Sequence, residues 1–304
     1  MAKRLFIVGP GDVAARALPH LAAFEVLAMA RTSQRAAELA KLGAQTRVGD
    51  LDRPESLVPV IETALLEGTE FILHCAPPIA TGTGDQRTRD LLAALDAAAQ
   101  KTRKMLPRRV VYVSTSGVYG DCGGALVDES RPVNPGTDRA RRRCDAEAAL
   151  SQWCDERGVA LVILRVPGIY ASDRLPLERL RRGTPVLLRE ADVYTNHIHA
   201  EDLAGICIAA LDEQVPAGIY NASDDSDIMM GDWLELVADR FGLPRPPRIA
   251  RGDAAGRIAA PMLSFMSESR RLINTRLKRE LGYALRYPTV HDGLSAALRS
   301  APAA

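Results

Sequence analysis

Cysteine is sparse in this chain, and its five copies, Cys75, Cys122, Cys144, Cys154 and Cys207, are odd in number and scattered. That distribution excludes a disulfide framework, and the absence of any C-x-x-C spacing argues against a zinc site. Neither sign of charge prevails. With 39 Lys and Arg against 38 Asp and Glu, the formal net charge is +1, so no broad field points to nucleic acid or an anionic membrane. No apolar run approaches the length of a membrane span. The first four residues run directly into an apolar stretch, without a secretory pattern. Internal repeats are absent too. These gaps together lead us to expect a cytoplasmic protein with a reduced set of thiols and no metal, nucleic-acid or membrane partner.

What is present is apolar material, 47% of the chain, enough for a sizeable core. A length of 304 residues suits one large α/β domain, or a core domain with a smaller lobe. The stretch RLFIVGPGDVAARAL at 4–18 organises the rest. Leu5, Phe6, Ile7 and Val8 form an apolar run of strand length, and Val13, Ala17 and Leu18 then recur at helical spacing. Between them Gly9, Pro10, Gly11, Asp12, Val13 and Ala14 read as G-x-G-x-x-A, a form of the dinucleotide-binding fingerprint. Gly9 would permit the tight turn, Gly11 would let the backbone approach a pyrophosphate, and Ala14 would keep the helix near the sheet. Asp12 cuts against this, because it puts a carboxylate where a pyrophosphate should sit unless it turns away and caps the helix.

The second strand is expected over 24–30, followed by Arg31, Thr32 and Ser33, with Ser33 as the helix N-cap. An acidic residue at the end of this strand would accept from a ribose 2′-hydroxyl and repel a 2′-phosphate, and arginine does the reverse. With Arg31 there and Thr32, Ser33 and Arg35 beside it, a bound dinucleotide should be NADP(H), with NAD(H) as the alternative. Further strands are expected over 45–48, 70–75, 109–113, 160–165 and 219–221. Helices over 54–66, 89–100 and 137–154 should separate them. Such alternation implies right-handed crossovers and a doubly wound parallel sheet of the Rossmann kind. Past Ala171 the alternation breaks, and residues 197–202 are expected to open a helix with Asp202 as its cap. We therefore expect a dinucleotide-binding domain over 1–171, rejoined by 200–222, and a smaller substrate lobe from 172–199 and 223–304. The last residues, 301–304, should be frayed. The arginine-dense stretches at 139–143 and 270–279 read as solvated helix faces. His197 and His199 stand two apart, yet no third ligand cluster accompanies them.

Five motifs stand in a familiar order: IVGPGDVA, GDLD at 49–52, STSGVYG at 114–120, RVPGIYA at 165–171 and HIHAEDLA at 197–204. In this the chain resembles the extended short-chain dehydrogenase/reductase superfamily, of the NAD(P)-dependent epimerase/dehydratase type, over nearly its full length. The resemblance implies that Asp50 and Leu51 contact the adenine and that Cys75, Ala76 and Pro77 line the ribose and pyrophosphate path. It also implies that Thr115 hydrogen-bonds the reacting oxygen, and that Pro167, Gly168 and Ile169 pass near the nicotinamide. One departure matters. The superfamily's proton donor is a tyrosine followed four residues later by lysine, and setting Glu147 against the usual glutamate of that helix puts Arg139 and Arg143 in those places. Arginine stays protonated, so Arg139 cannot serve as acid or base, while Arg143 could still hold the nicotinamide ribose. Tyr119 and Tyr170 are the substitute donors, provided nearby arginines lower their pKa. Two functions follow as expectations. One is hydride transfer to a small carbonyl or sugar-derived substrate. The other is a dinucleotide-binding sensor without turnover. By analogy with the superfamily, the helices at 91–100 and 139–154 would pair two copies into a homodimer.

Overall fold

Why the front of the chain becomes the centre of a sheet is visible in its burial. The side chains of Leu5 and Ile7 face one way and those of Phe6 and Val8 the other, and none of the four is more than 1% exposed. A strand covered on both faces needs such an unbroken apolar run rather than an alternating one. The computed structural model describes residues 2–300, so the fraying expected over 301–304 lies outside the described residues.

Seven strands, β1 (Lys3–Val8), β2 (Phe24–Ala30), β3 (Gln45–Val48), β4 (Phe71–His74), β5 (Arg109–Thr115), β6 (Ala160–Val166) and β7 (Gly218–Asn221), make one parallel sheet. Their spatial order is β3-β2-β1-β4-β5-β6-β7. The order reverses between β1 and β4, which opens a crevice at their carboxyl ends where ligands of doubly wound sheets bind.

Helices cover both faces. On one side α1 (Asp12–Ala17), α2 (Ser33–Lys41) and α6 (Ala200–Ala209) pack on Leu5, Ile7, Val26 and Val162. On the other, α3 (Leu57–Leu66), α4 (Gln86–Thr102) and α5 (Asp138–Arg157) pack on Phe6, Val8, Ile72 and Val110. Each such apolar side chain contributes about 1.5–3 kcal/mol by leaving water. A third apolar cluster lies away from the sheet, with Leu180, Val186, Trp233, Val237 and Leu294 at its centre. It is carried largely by α7 (Met230–Arg240) and α8 (Val290–Ser300).

Two local readings are corrected. The N-cap of α2 is Thr32, whose hydroxyl oxygen accepts the Arg35 N–H, and Ser33 is the first helical residue. Residues 197–202 do not begin as a helix. His197–His199 is a short strand paired in parallel with Gly168–Tyr170, and α6 starts only at Ala200. The cap there is His199, whose Nδ1 accepts from the Glu201 N–H. Asp202 is instead fully buried and accepts from the backbone of Arg286 and Tyr287 and from the Tyr283 hydroxyl, which ties the C-terminal segment to α6.

Candidate functional site

The site begins at the turn after β1. Gly9 has φ +69, and a Cβ there would stand 2.4 Å from the Ala76 Cβ, so both conformation and space demand glycine. Gly11 is different: a Cβ on it would meet nothing nearer than the Gly9 oxygen at 4.0 Å, and the backbone faces open room. That pairing of one cramped glycine with one open glycine suits a cradle for phosphate. Asp12 does not obstruct it and does not cap α1. Its carboxylate is held at 3.0 Å by both Arg16 and Arg174. Burial works to raise the Asp12 carboxyl, and the hydrogen bonds from the two arginines outweigh it, leaving the group below its ordinary value.

Three adjoining cavities follow the carboxyl ends of the strands. The first, about 300 Å³, is lined by Gly9, Pro10, Gly11, Arg31, Arg35, Asp50, Leu51, Ala76 and Pro77. Arg35 also donates to the Pro10 and Gly11 carbonyls, bracing the turn from α2. Thr32 and Ser33, expected here, lie outside the walls, since Thr32 is spent on its cap. The second cavity, about 250 Å³, is lined by Gly11, Asp12, Val13, Cys75, Thr115, Arg143, Pro167, Ile169 and Arg174. Arg143 donates to the Tyr112 hydroxyl at 2.8 Å and to the Val113 carbonyl at 3.0 Å, which fixes the guanidinium over the end of β5. Burial pushes the Cys75 thiol and the Tyr112 phenol up to about 12 each, so both stay protonated and neither is a nucleophile at neutral pH.

The third cavity, about 400 Å³, shares Thr115, Pro167, Ile169 and Arg174 with the second. Gly168 and Tyr170 also line it, as do Trp233 and Phe265. Thr115 stands at the junction. Its Oγ1 accepts the Gly117 N–H at 3.2 Å, which leaves its own O–H to donate.

Neither substitute tyrosine offers a hydroxyl to this junction. Tyr119 is buried beneath it, its O–H donating to Asn221 Oδ1 at 2.8 Å with the Arg165 guanidinium 4.7 Å from its ring centre. Tyr170 lines the cavity, and its hydroxyl donates to the Thr289 carbonyl at 3.3 Å. Burial raises both phenols above their ordinary value. At Tyr119 desolvation outweighs the lowering by Arg165, while at Tyr170 no arginine opposes burial and Asp224, Asp202 and Asp292 add to it.

The arginine stretches read as solvated faces are in fact partly turned inward. Arg142 is 8% exposed and donates to the Gly82 carbonyl, Arg143 lines the second cavity, and Arg139 and Arg270 line the third. Arg139 and Arg143, one helical turn apart on α5, thus serve two neighbouring cavities. Arg174 and Arg179 are cavity residues that the sequence reading missed entirely. Beneath the floor lies a buried pair, Glu147 with Arg165 at 2.8 Å, and Ser114 at the end of β5 donates to the same carboxylate at 2.5 Å. His197 and His199 serve packing, with His197 4.6 Å from the Trp233 ring and His199 4.0 Å from the Tyr287 ring.

A seven-stranded parallel sheet with its glycine turn at the switch point and cavities along the strand ends defines a dinucleotide-binding Rossmann protein. The comparison with known families agrees: the chain belongs to the NAD(P)H-binding family, whose model matches residues 9–214. Over 99% of its length it is 25% identical to the 4-hydroxy-2-methyl-3-oxo-4-farnesyl-3,4-dihydroquinoline-1-oxide ketoreductase of Stigmatella aurantiaca, covering 97% of that enzyme. Among solved structures, a conserved protein of unknown function from Silicibacter pomeroyi superposes with a TM-score of 0.80 at 29% identity, with 98% of this chain and 99% of that one aligned. A putative NAD-dependent epimerase/dehydratase from Methylobacillus flagellatus superposes with a TM-score of 0.74 at 26% identity, over 99% of both chains. The resemblance to epimerase/dehydratase-like short-chain dehydrogenases/reductases stands.

Proposed function

We propose that this protein is an NADPH-dependent reductase acting on a small carbonyl or sugar-derived substrate. The carrying observation is the continuous row of cavities, from the Gly9 turn through Thr115 and Arg143 to the lobe. In this reading Gly9, Pro10, Gly11, Asp12 and Val13 cradle the pyrophosphate, and Asp50, Leu51, Cys75, Ala76 and Pro77 line the adenosine half. Arg31 and Arg35 favour a 2′-phosphate. Arg143, Pro167, Gly168 and Ile169 border the nicotinamide. When bound, the cofactor supplies the hydride. Thr115 then donates its hydrogen bond to the substrate oxygen, and Arg143 lends positive charge close to where negative charge develops. Since the Tyr119 and Tyr170 hydroxyls are committed elsewhere, water supplies the proton, and the rate should lack the pH profile of a tyrosine acid.

A division into a dinucleotide domain over 1–171 with 200–222 and a lobe over 172–199 with 223–304 accords with the separate apolar cluster around Trp233. Pairing of two copies through α4 and α5, and a cytoplasmic setting suggested by five free thiols, belong to the same proposal. No described helix is long and apolar enough to cross a membrane. The test is NADPH oxidation with a panel of aldehydes and ketones. Turnover that Thr115→Val reduces at least about tenfold, the loss of about 1.4 kcal/mol of transition-state stabilisation, supports the reading.

The second reading, a sensor without turnover, rests on the same committed tyrosines and on Arg139 and Arg143 in the place of the acid–base pair. A parent inert toward the whole panel, with an Arg139→Tyr/Arg143→Lys protein that reduces aldehydes, would favour it.

A further inference from the structure

The third cavity carries more positive charge than its own walls neutralise. Four guanidinium groups, those of Arg139, Arg174, Arg179 and Arg270, line it together with one carboxylate, that of Glu268. Glu268 is engaged by Arg270 at 3.0 Å, and Arg174 is engaged by Asp12 at 3.0 Å. Arg139 and Arg179 have no carboxylate within ion-pair distance among the described residues. Arg139 lies over the Phe265 ring, 4.1 Å from its centre. Arg179 donates to the Met262 thioether at 3.2 Å and the Pro185 carbonyl at 3.3 Å, and its Nε is buried without a partner.

Several shielded arginines elsewhere are treated differently: Arg16, Arg87, Arg165 and Arg248 are each at most 19% exposed at the side chain, and each holds at least one carboxylate. Arg109 and Arg142, buried without a carboxylate among the described residues, spend donors on the Ala210, Val215 and Gly82 carbonyls, and neither lines this cavity. A guanidinium that loses water without gaining a counter-charge is destabilising, and the cost falls away when a ligand brings the missing charge. Burial pulls Arg179 below its ordinary pKa, with no acidic neighbour to oppose it. One part of the wall, formed by Trp233, Leu234, Met230, Met262 and Phe265, is apolar, with flat rings and deformable thioethers, and Ser116, Thr195 and Asn196 add polar groups beside it.

We propose that this cavity receives a substrate with a flat apolar body and a single anionic group, a carboxylate or a phosphate monoester, bound by Arg139 and Arg179. The body lies against Trp233, Phe265 and the methionines, and the planar guanidinium forks meet the anion's oxygens two at a time. The proposal names the substrate class of the site described above and rests on that reading.

The test is calorimetric titration with three small probes, cinnamate, its neutral isostere cinnamamide and phenyl phosphate, each with and without NADP⁺. Cinnamate or phenyl phosphate should bind at least about tenfold more tightly than cinnamamide, as expected of a charge-assisted contact in a partly dry cavity. Whichever anion binds more tightly identifies the group. Arg179→Gln and Arg139→Gln should each shrink the preference while leaving cinnamamide unaffected. If Arg179→Gln fails to fold, Arg139→Gln on the exposed start of α5 decides. Equal binding of acid and amide, or no binding of either anion, overturns the proposal. Anion preference in a protein that binds neither NADPH nor NADP⁺ would leave this cavity assignment standing and remove the reductase reading. Dinucleotide binding without anion preference would do the reverse.

Discussion

The two halves of the cleft are made by different means. The dinucleotide half is shaped by backbone: a glycine at φ +69 pressed against Ala76, an open glycine two residues on, and strand ends aligned by parallel pairing. The substrate half is shaped by side chains brought from α5, from the segment after β6 and from the C-terminal third, with Arg139, Arg179, Trp233 and Arg270 meeting across long sequence separations. A backbone-made site tolerates few residue types at fixed spacing. A side-chain-made site can be assembled from many sequences.

The sharpest way to break this contrast is at the floor both halves share. Glu147→Ala leaves Arg165 buried and unpaired and removes the acceptor of Ser114, at a cost of about 3–5 kcal/mol in urea unfolding. Replacing both partners with Met should recover most of that loss, and no recovery would mean the pair is not what holds the floor. Next comes the turn. Gly9→Ala forces a side chain into the left-handed region and into Ala76, costing about 1–3 kcal/mol and abolishing NADPH binding. Unchanged binding would show that the turn is not the cradle.

Acid separates folded from unfolded through two buried imidazoles, one in each half. Burial lowers His74 and His197 to about 3, so both stay neutral in the fold while the unfolded chain protonates near 6.5. Unfolding therefore takes up protons, and stability is lost as pH falls from 6.5 toward 3. Each residue accounts for up to about 1.4 kcal/mol per pH unit. His197→Gln and His74→Gln should each flatten the pH dependence of stability measured by chemical unfolding between pH 6.5 and 5. A slope unchanged in both variants would contradict the burial argument. The smallest effect sharpens the first cavity: Arg31→Asp should cut the preference for NADPH over NADH by about tenfold, about 1.4 kcal/mol, read by titration.

These differences explain what was legible in the sequence. The Gly9–Ala14 spacing and the apolar strands announced themselves, because φ constraints and two-sided burial admit so few residues. Ser33 rather than Thr32 is the cap expected from sequence, but both residue types cap helices and only the position of the first turn, which starts at Ser33, decides for Thr32. His197–His199 is too short for its period to show, and parallel pairing with Gly168–Tyr170 rather than local preference makes it a strand. The arginines at 139–143 look like a solvated face because a dense run gives no hint of direction. Only the packing of α5 beside the strand ends turns Arg143 inward and sets Arg139, still exposed, against the third cavity. Arg174 and Arg179 carried no signal at all, as nothing local marks an arginine that will lack a carboxylate.

The most direct measurement is a calorimetric titration of the purified protein with NADPH and with NADH. The cleft described here predicts that NADPH binds, and binds at least about tenfold more tightly than NADH. Binding of neither nucleotide would contradict the central claim, leaving the Gly9 turn as a structural element only and the row of cavities without its cofactor.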